Sequence, residues 1–521
     1  MKRYPVGSFD FKNLREEGFI YVDKTAYIVD LLKGSNYYFL ARPRRFGKSL
    51  FLSTLEYFFK ADRDLFKGLA IDTYTEWDWN SYPVVRLDLN GVDYSKGSVE
   101  EKIDSILQHY EKEYDVEKKF ENPGIRFEHL LKGIHEKTGR KIAVLIDEYD
   151  QPIMDTLDND SLRKSHIDTL RGFYSVLKSL DSILKMVFIT GVTKFGHMNI
   201  FSGLNNLRDI SLENKFGAIC GITEAELHNN FEEGIRVLAE NEETDYDGAI
   251  NLLKKNYDGY HFSENCPDIY NPFSIVSALA SESINWYWAS TGTPKILAEA
   301  LKTQDISVYE LDGVKIGKNQ LMDIKSDVSD IIPLFYQTGY LTIKTYEKKT
   351  KRFILGFPNM EVENAFFNYL LPVYGNIPKN KVESAFNNLL DGILGGNPEL
   401  VMSTLVAFTA SINYDLIPKP ETERHFETII YLFLKLLLPY TEEVKTEERT
   451  SDGRIDILVK THSYVYIMEL KTDQSAEVAL NQIKRKDYAL PYSAGNRKVF
   501  LIGINFSTKK KRIEDYKIKT L

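Results

Sequence analysis

The stretch Arg42-Pro43-Arg44-Arg45-Phe46-Gly47-Lys48-Ser49 decides how this chain reads. It follows a short apolar segment, 37–41, that reads as a strand, and it opens an apolar, helix-length run at 50–59. Strand, loop and helix in that order are the context a phosphate-binding loop requires. Gly47 lets the backbone approach a phosphate, and Lys48 places an ammonium on the β and γ oxygens. The Ser49 hydroxyl can ligate Mg²⁺, and the N–H groups of the first helical turn add positive potential. The nucleotide-contacting set is then Arg45, Phe46, Gly47, Lys48, Ser49 and Leu50. The usual pattern has a glycine where Arg42 stands, so the turn differs and three arginines raise the loop's charge. The competing reading is a basic loop-to-helix turn with a capping serine.

Working outward, residues 141–146 form a continuous apolar strand ending in Asp147-Glu148. A carboxylate at the end of a strand beside the loop can hold Mg²⁺ through water, and the next glutamate can orient or deprotonate an attacking water. A strand ending in an acidic turn is common alone. It becomes improbable when both motifs follow in order. Segment 185–190 is a further buried strand, and Thr190 at its end could touch a γ-phosphate or the water. Arg208 could supply a guanidinium to transition-state charge, with a surface ion pair as the plainer reading.

Strand-like segments (37–41, 83–89, 141–146, 185–190) alternate with helical spacing (99–112, 126–136, 162–180). This predicts an α/β domain with a mainly parallel sheet over 1–220. From 221 to 350 helical stretches (223–241, 246–256) alternate with aromatic turns at 257–262 and 270–274, the second broken by Pro272. That reads as a mostly helical extension resembling a lid or winged helix. Segment 344–350 reads as a hairpin tip or connector. The third domain, 375–521, opens with helices at 382–394, 399–411 and 421–438. Strands at 454–459, 465–470 and 498–504 follow, with a helix at 477–488 before the last.

The chain has 521 residues, which predicts roughly three domains. Two cysteines exclude a disulfide scaffold and a four-cysteine zinc site. With 66 basic and 75 acidic residues the net charge is −9, so no global cationic field marks a nucleic-acid binder. No signal-peptide core or membrane-length apolar run occurs, which predicts a cytoplasmic protein without a membrane span.

The stretches YPVGSFDFKNLREEGFIYVDKT, FLARPRRFGKSLFLSTLEYFF and AVLIDEYDQP, with the later YDGYHF, YNPFS, STGTP and FYQTGYLTI, resemble the AAA-ATPase-like proteins of bacteria and archaea. In that family RPRRFGKS is the usual phosphate loop, so Arg42 is in keeping with it. The resemblance covers about residues 1–345 and implies a P-loop NTPase fold with a helical extension, binding ATP and Mg²⁺.

The third domain carries its own chemistry. Asp456, in Gly453-Arg454-Ile455-Asp456-Ile457, precedes Glu469-Leu470-Lys471 at the end of an apolar strand. Carboxylates on adjacent strands can converge on one divalent metal. Glu469 and Lys471, two apart, share a strand face, so the lysine can orient or activate a water there. Glu423 on the preceding helix could add a ligand, though Glu421 and Glu427 compete for that place. Gln482 lies on the following helix. A charged hairpin rim is the plainer reading of an Asp and a Glu-X-Lys alone. The full set resembles the PD-(D/E)XK nuclease superfamily, over about 375–521, and implies Mg²⁺ or Mn²⁺ at Asp456 and Glu469.

Lys484, Arg485 and Lys486 follow Gln482, and residues 509–519 hold six basic against two acidic residues. Such a run reads as a solvated basic tail or as phosphate contacts to DNA. The leading expectation is an ATP-regulated, metal-dependent DNA nuclease. The alternative is a nucleotide-dependent switch or scaffold whose last domain binds a partner or nucleic acid without cutting. Self-association is left open by the sequence.

Overall fold

The computed structural model describes residues 3–77, 79–194, 200–288, 311–322, 331–412, 422–450, 453–492 and 495–521, with side chains left aside at 422–427 and 446–455. The STGTP segment lies outside these residues. The chain divides into two compact units, 1–296 with 310–361, and 297–309 with 362–521. Among the described residues no helix is long and apolar enough to cross a membrane.

The first unit is built on β1 (Tyr37–Ala41), β2 (Val84–Asp88), β3 (Ile142–Asp147), β4 (Leu184–Gly191) and the short β5 (Arg208–Asp209). They pair in the order β2-β3-β4-β1-β5, every pair parallel. Each residue of β1 and β3 is buried. Parallel strands covered on both faces are mostly apolar, which is why these read as continuous runs, with Asp147 at the end of β3 as the exception. β4 lies between β1 and β3, pairing Leu40 with Thr190 and Ile146 with Ile189. The carboxyl ends of these three strands therefore open side by side, the place where open α/β sheets bind ligands.

The helices carry local stop and start signals. Lys48–Phe59 begins at Gly47, whose φ of 90° a side chain would strain. Glu224–Asn241 opens with a reciprocal capping box between Thr223 and Glu226. Tyr246–Tyr257 is capped by Asp245. Residues 270–274 read as a broken turn, but Pro272 instead starts the helix Pro272–Ser281 behind an Asn271 cap. At the first helical position the missing N–H costs nothing and the fixed φ suits the helix. Leu227, Phe231, Ile235, Leu253, Tyr257 and Ile275 form the core among these helices, and Ile20 of the N-terminal segment joins them. The strands β6 (Lys315–Gly317), β7 (Thr342–Glu347) and β8 (Arg352–Gly356) make a small antiparallel sheet, and the charged 344–350 segment forms the end of β7 and the turn into β8.

The second unit contains helices Lys379–Leu394, Pro398–Ala410 and Thr422–Lys435, then β9 (Glu443–Thr450), β10 (Gly453–Lys460), β11 (Tyr464–Thr472), helix Ala476–Arg485, β12 (Lys498–Ser507) and β13 (Arg512–Thr520). The sheet order is β13-β12-β11-β10-β9, with only β11 and β12 parallel. Sequence patterning predicts three strands here; β9 and β13 are additional. Both are edge strands rich in charge, EVKTEERT and RIEDYKIKT, and lack the apolar run that marks a covered strand. The basic segment is accordingly no free tail: residues 512–520 are paired antiparallel to β12.

Gly503 in β12 lets helix Ala476–Arg485 approach the sheet. A Cβ there would stand 2.3 Å from the Ala476 carbonyl oxygen and 2.5 Å from the Leu480 nitrogen, both backbone atoms. Gly503→Ala must push the helix outward, at a cost of about 1–3 kcal/mol. Amide exchange within 476–485 should accelerate roughly tenfold or more, measured by deuterium uptake, with helix Lys48–Phe59 unaffected.

Candidate active sites

Each residue of the first loop has a distinct task. Arg42 is buried, 1% exposed, with its guanidinium 4.2 Å from the Phe262 ring. Its Nη1 donates to the carbonyls of Ala41 and Ser211 at 2.9 Å, and its Nη2 to those of Phe216 at 3.0 Å and Gly217 at 3.5 Å. The loop's charge therefore rests on Arg44, Arg45 and Lys48, while Arg42 acts as a strut. Pro43 packs against Gly339, where a Cβ would come within 2.8 Å of the proline and φ is +92°. Arg44 donates to Gln151 Oε1 at 3.1 Å, and Arg45, at φ 71°, lies 4.5 Å from the Phe273 ring. Phe46 inserts edge-on between Tyr260 and Phe262, and its carbonyl accepts from the Gly221 N–H at 3.0 Å.

Lys48 is nearly fully buried. Its Nζ donates to the carbonyls of Arg42 at 3.0 Å and Pro43 at 3.2 Å, and lies 3.3 Å from Glu148 Oε1. Glu148 sits at φ 52°, and its Oε2 is buried with no partner. Burial holds its carboxyl above the usual carboxylate range, against the Lys48 charge. A cleft of about 540 Å³ is lined by Arg44, Arg45, Lys48, Ser49, Arg86 and Glu148, among others. A second, smaller cleft of about 90 Å³ adjoins Gly47 and is walled by Tyr21, Leu50, Phe51, Ile222 and Pro272.

Asp147 and Thr190 stand off the wall of the larger cleft. Both are fully buried, and Thr190 Oγ1 donates to Asp147 Oδ1 at 2.8 Å. Asp147 Oδ2 accepts from Arg86 Nη2 at 3.4 Å, while Arg86 Nη1 reaches Glu56 at 3.2 Å. Sequence reading did not single out Arg86. Its signal is a charged residue in the middle of the apolar strand VVRLD. Asp150 was missed as well. It accepts from the backbone of Val192 at 3.1 Å and Thr193 at 2.6 Å, and from the Thr193 hydroxyl at 2.7 Å, tying the acidic turn to the end of β4. Arg208 forms a two-pronged pair with Glu213, at 2.8 and 2.7 Å, the plainer of its two readings.

In the second unit the ladder pairs Ile457 with Met468, which brings Asp456 and Glu469 to facing positions on β10 and β11. Asp456 Oδ2 accepts the Leu470 N–H at 2.8 Å. Glu469 is 1% exposed. Its Oε1 accepts from Lys471 Nζ at 3.0 Å and from Gln482 Nε2, while its Oε2 is buried without a partner. Burial first and the Asp456 charge second raise its carboxyl from 4.5 to about 7. The side chain of Glu423, on helix Thr422–Lys435, lies outside the described residues. Among the described residues no three His, Cys, Asp or Glu side chains group around a metal position. A divalent cation still fits the donor set of Asp456 and Glu469. Both lysine and glutamine hold one oxygen of Glu469 and leave the other buried and unsatisfied, a cost in free energy that a cation would offset.

A family model described as predicted AAA-ATPase matches residues 5–201, and one described as PD-(D/E)XK nuclease superfamily matches 421–516. A protein of Azotobacter chroococcum mcd 1, described as an uncharacterized protein in the vnfD 5′ region, is 32% identical over 530 residues, covering 100% of this chain and 99% of that one.

Two predictions follow from these environments. Arg42→Gly strands the carbonyls of Ser211, Phe216 and Gly217 in a buried place, at about 1–3 kcal/mol for each buried group left unsatisfied. Deuterium uptake across 211–217 should rise at least about tenfold, where an unchanged rate would remove the strut. The raised carboxyl of Glu469 sets a pH dependence. A folded value above the unfolded one contributes stability present below 4.5 and lost as pH rises through about 7. Without metal, the wild type should lose about 2 kcal/mol more than Glu469→Gln between about pH 4.5 and 8, read as melting temperatures that diverge as pH rises, the wild type's falling below the variant's.

Proposed function

We propose, for a chain that belongs to the predicted AAA-ATPase family and carries a PD-(D/E)XK nuclease superfamily domain, an ATP-responsive, metal-dependent DNA nuclease. Residues 1–220 bind and hydrolyse ATP, 221–350 form the helical extension, and 375–521 cut DNA. The observation that carries this reading is the buried, unpartnered Oε2 of Glu469 beside Asp456 and Lys471.

In the first site the phosphates enter the larger cleft, against Arg44, Arg45, Lys48 and the amides after Gly47. The apolar cleft on the other side of Gly47 suits a base. Phosphate oxygens replace the Arg42 and Pro43 carbonyls as acceptors for Lys48, releasing Glu148 from its ion pair. Glu148, with its raised proton affinity, then takes the proton of an attacking water. Mg²⁺ would be held by Ser49 and Asp147, the latter oriented by Thr190 and freed from Arg86.

In the second site Asp456 and Glu469 would hold Mg²⁺ or Mn²⁺, with Glu423 as a further ligand. The cation supplies Lewis acidity toward a phosphodiester. Lys471 stabilises the charge that develops on the phosphate and orients the attacking water. Gln482 fixes the Glu469 carboxylate, so that its free oxygen is presented in one direction. The cations Lys484, Arg485 and Lys486 at the end of the same helix meet the DNA backbone, with those of β13.

Incubation of the full chain with linear or circular DNA, Mg²⁺ or Mn²⁺, and ATP tests this reading. Lys471→Ala should lower cleavage by about a hundredfold or more. Lys48→Ala should abolish ATP binding and the effect of ATP on cleavage, leaving the metal site's cation affinity intact. Equal cleavage by wild type and Lys471→Ala would overturn the nuclease assignment.

A further inference from the structure

Among the residues lining the larger cleft, Arg86 is the cation that the phosphate loop does not supply. It sits in the middle of β2, the edge strand beside β3. Its backbone is fixed from outside the sheet. The Arg86 N–H donates to the hydroxyl of Tyr110, on helix Val99–Glu113, at 2.7 Å, and that hydroxyl donates to the Arg86 carbonyl at 3.2 Å. The side chain is held more loosely. Nη1 lies 3.2 Å from Glu56 and Nη2 3.4 Å from Asp147, both longer than the roughly 2.7–2.9 Å of a close charge-assisted bond. Nε is buried and has no partner. Arg126, also held by two carboxylates, is seated differently: Nε and Nη2 donate to Glu111 at 2.6 and 2.7 Å, and Nη1 to Asp104.

The charges around Arg86 permit it to leave. Glu56 keeps Lys60, whose Nζ is 2.6 Å away. Asp147 keeps the Thr190 hydroxyl, together with the Mg²⁺ it is proposed to hold. Neither acid is then stranded without a cation, which would oppose the move. The guanidinium has an unused donor, a fixed strand beneath it and an open cleft in front of it. The same cleft is lined by Lys48 and Glu148. Arg208, the other guanidinium considered for this charge, is committed to Glu213 by two bonds.

On the reading that ATP is hydrolysed in the larger cleft, on which this assignment rests, we infer that Arg86 is a catalytic residue. Its guanidinium turns from Asp147 onto the γ-phosphoryl oxygens as that group transfers. The water oxygen bonds to the γ-phosphorus, and the bond from phosphorus to the bridging oxygen breaks, its electron pair leaving with ADP. The water's proton goes to Glu148, and inorganic phosphate is released. Charge spreads over the transferring and bridging oxygens, where a two-pronged cation meets it. The loop cations hold the phosphates before the reaction; Arg86 acts on the charge that develops during it.

The test compares ATP affinity, turnover and trapping of ADP with aluminium fluoride, a mimic of the transferring phosphoryl group, on the full chain with Mg²⁺. Arg86→Lys keeps a cation between Glu56 and Asp147 but gives up the fork. It should bind ATP within about threefold of wild type, while kcat falls about a hundredfold and the trapped complex no longer persists. Glu56→Gln breaks the same tie from its other end and should keep kcat within about threefold. Equal kcat or equal trapping in wild type and Arg86→Lys would overturn the assignment. So would an ATP affinity that falls as far as kcat, or an equal loss of kcat in Glu56→Gln, either of which makes Arg86 a structural tie. A wild type that binds ATP without turning it over removes the role of Arg86 and leaves nucleotide binding standing. A wild type that binds no ATP removes the reading of the cleft itself.

Discussion

The Arg42 guanidinium is a buried cation held by carbonyl oxygens, and the first unit is organised around it. Four backbone carbonyls and the face of Phe262 surround it. These acceptors come from the end of β1 and from 211–217, and the ring comes from the loop after helix Tyr246–Tyr257. A glycine at this position would leave the phosphate loop to its own turn. The arginine instead makes loop conformation depend on two distant segments. Phe46 repeats the device one turn later, between Tyr260 and Phe262 and bonded to Gly221. The loop is thus positioned from outside, which accommodates φ 71° at Arg45.

Both candidate sites share one electrostatic arrangement. A buried glutamate stands at the end of a strand, a lysine holds one of its oxygens, and the other oxygen has no partner. Burial and a neighbouring carboxylate make each glutamate a better base than a solvated one. The surrounding strands supply rigidity, and in the second unit Gly503 supplies the close approach that lets Gln482 reach Glu469. Each site therefore carries stored unfavourable free energy that a ligand can relieve.

The parts of this design that rest on apolar runs were open to reading from sequence. β1, β3 and β4 are covered on both faces, so their middles are continuous hydrophobic runs, with Asp147, Lys185 and Thr190 falling towards the strand ends. The loop, the acidic pair after β3 and the Asp456, Glu469 and Lys471 set follow from residue type and spacing. What escaped depends on partners far apart in the chain. Arg42 reads as loop charge until the carbonyls at 211–217 are known to face it, and Arg86 reads as a strand irregularity until Asp147 and Glu56 meet it. The edge strands β9 and β13 escaped because a strand paired on one side only tolerates charge.

The basic edge of the second sheet has a bearing on solubility. β13 closes one side of the five-stranded sheet, and among the described residues its outer backbone groups meet no further strand there. Such a row can template pairing with another chain, and charged side chains on it oppose that. Arg512, Lys517 and Lys519, together with Glu514 and Asp515, thus act as gatekeepers of an open edge. Neutralising them as a group would exchange a charged surface for one prone to strand-to-strand aggregation.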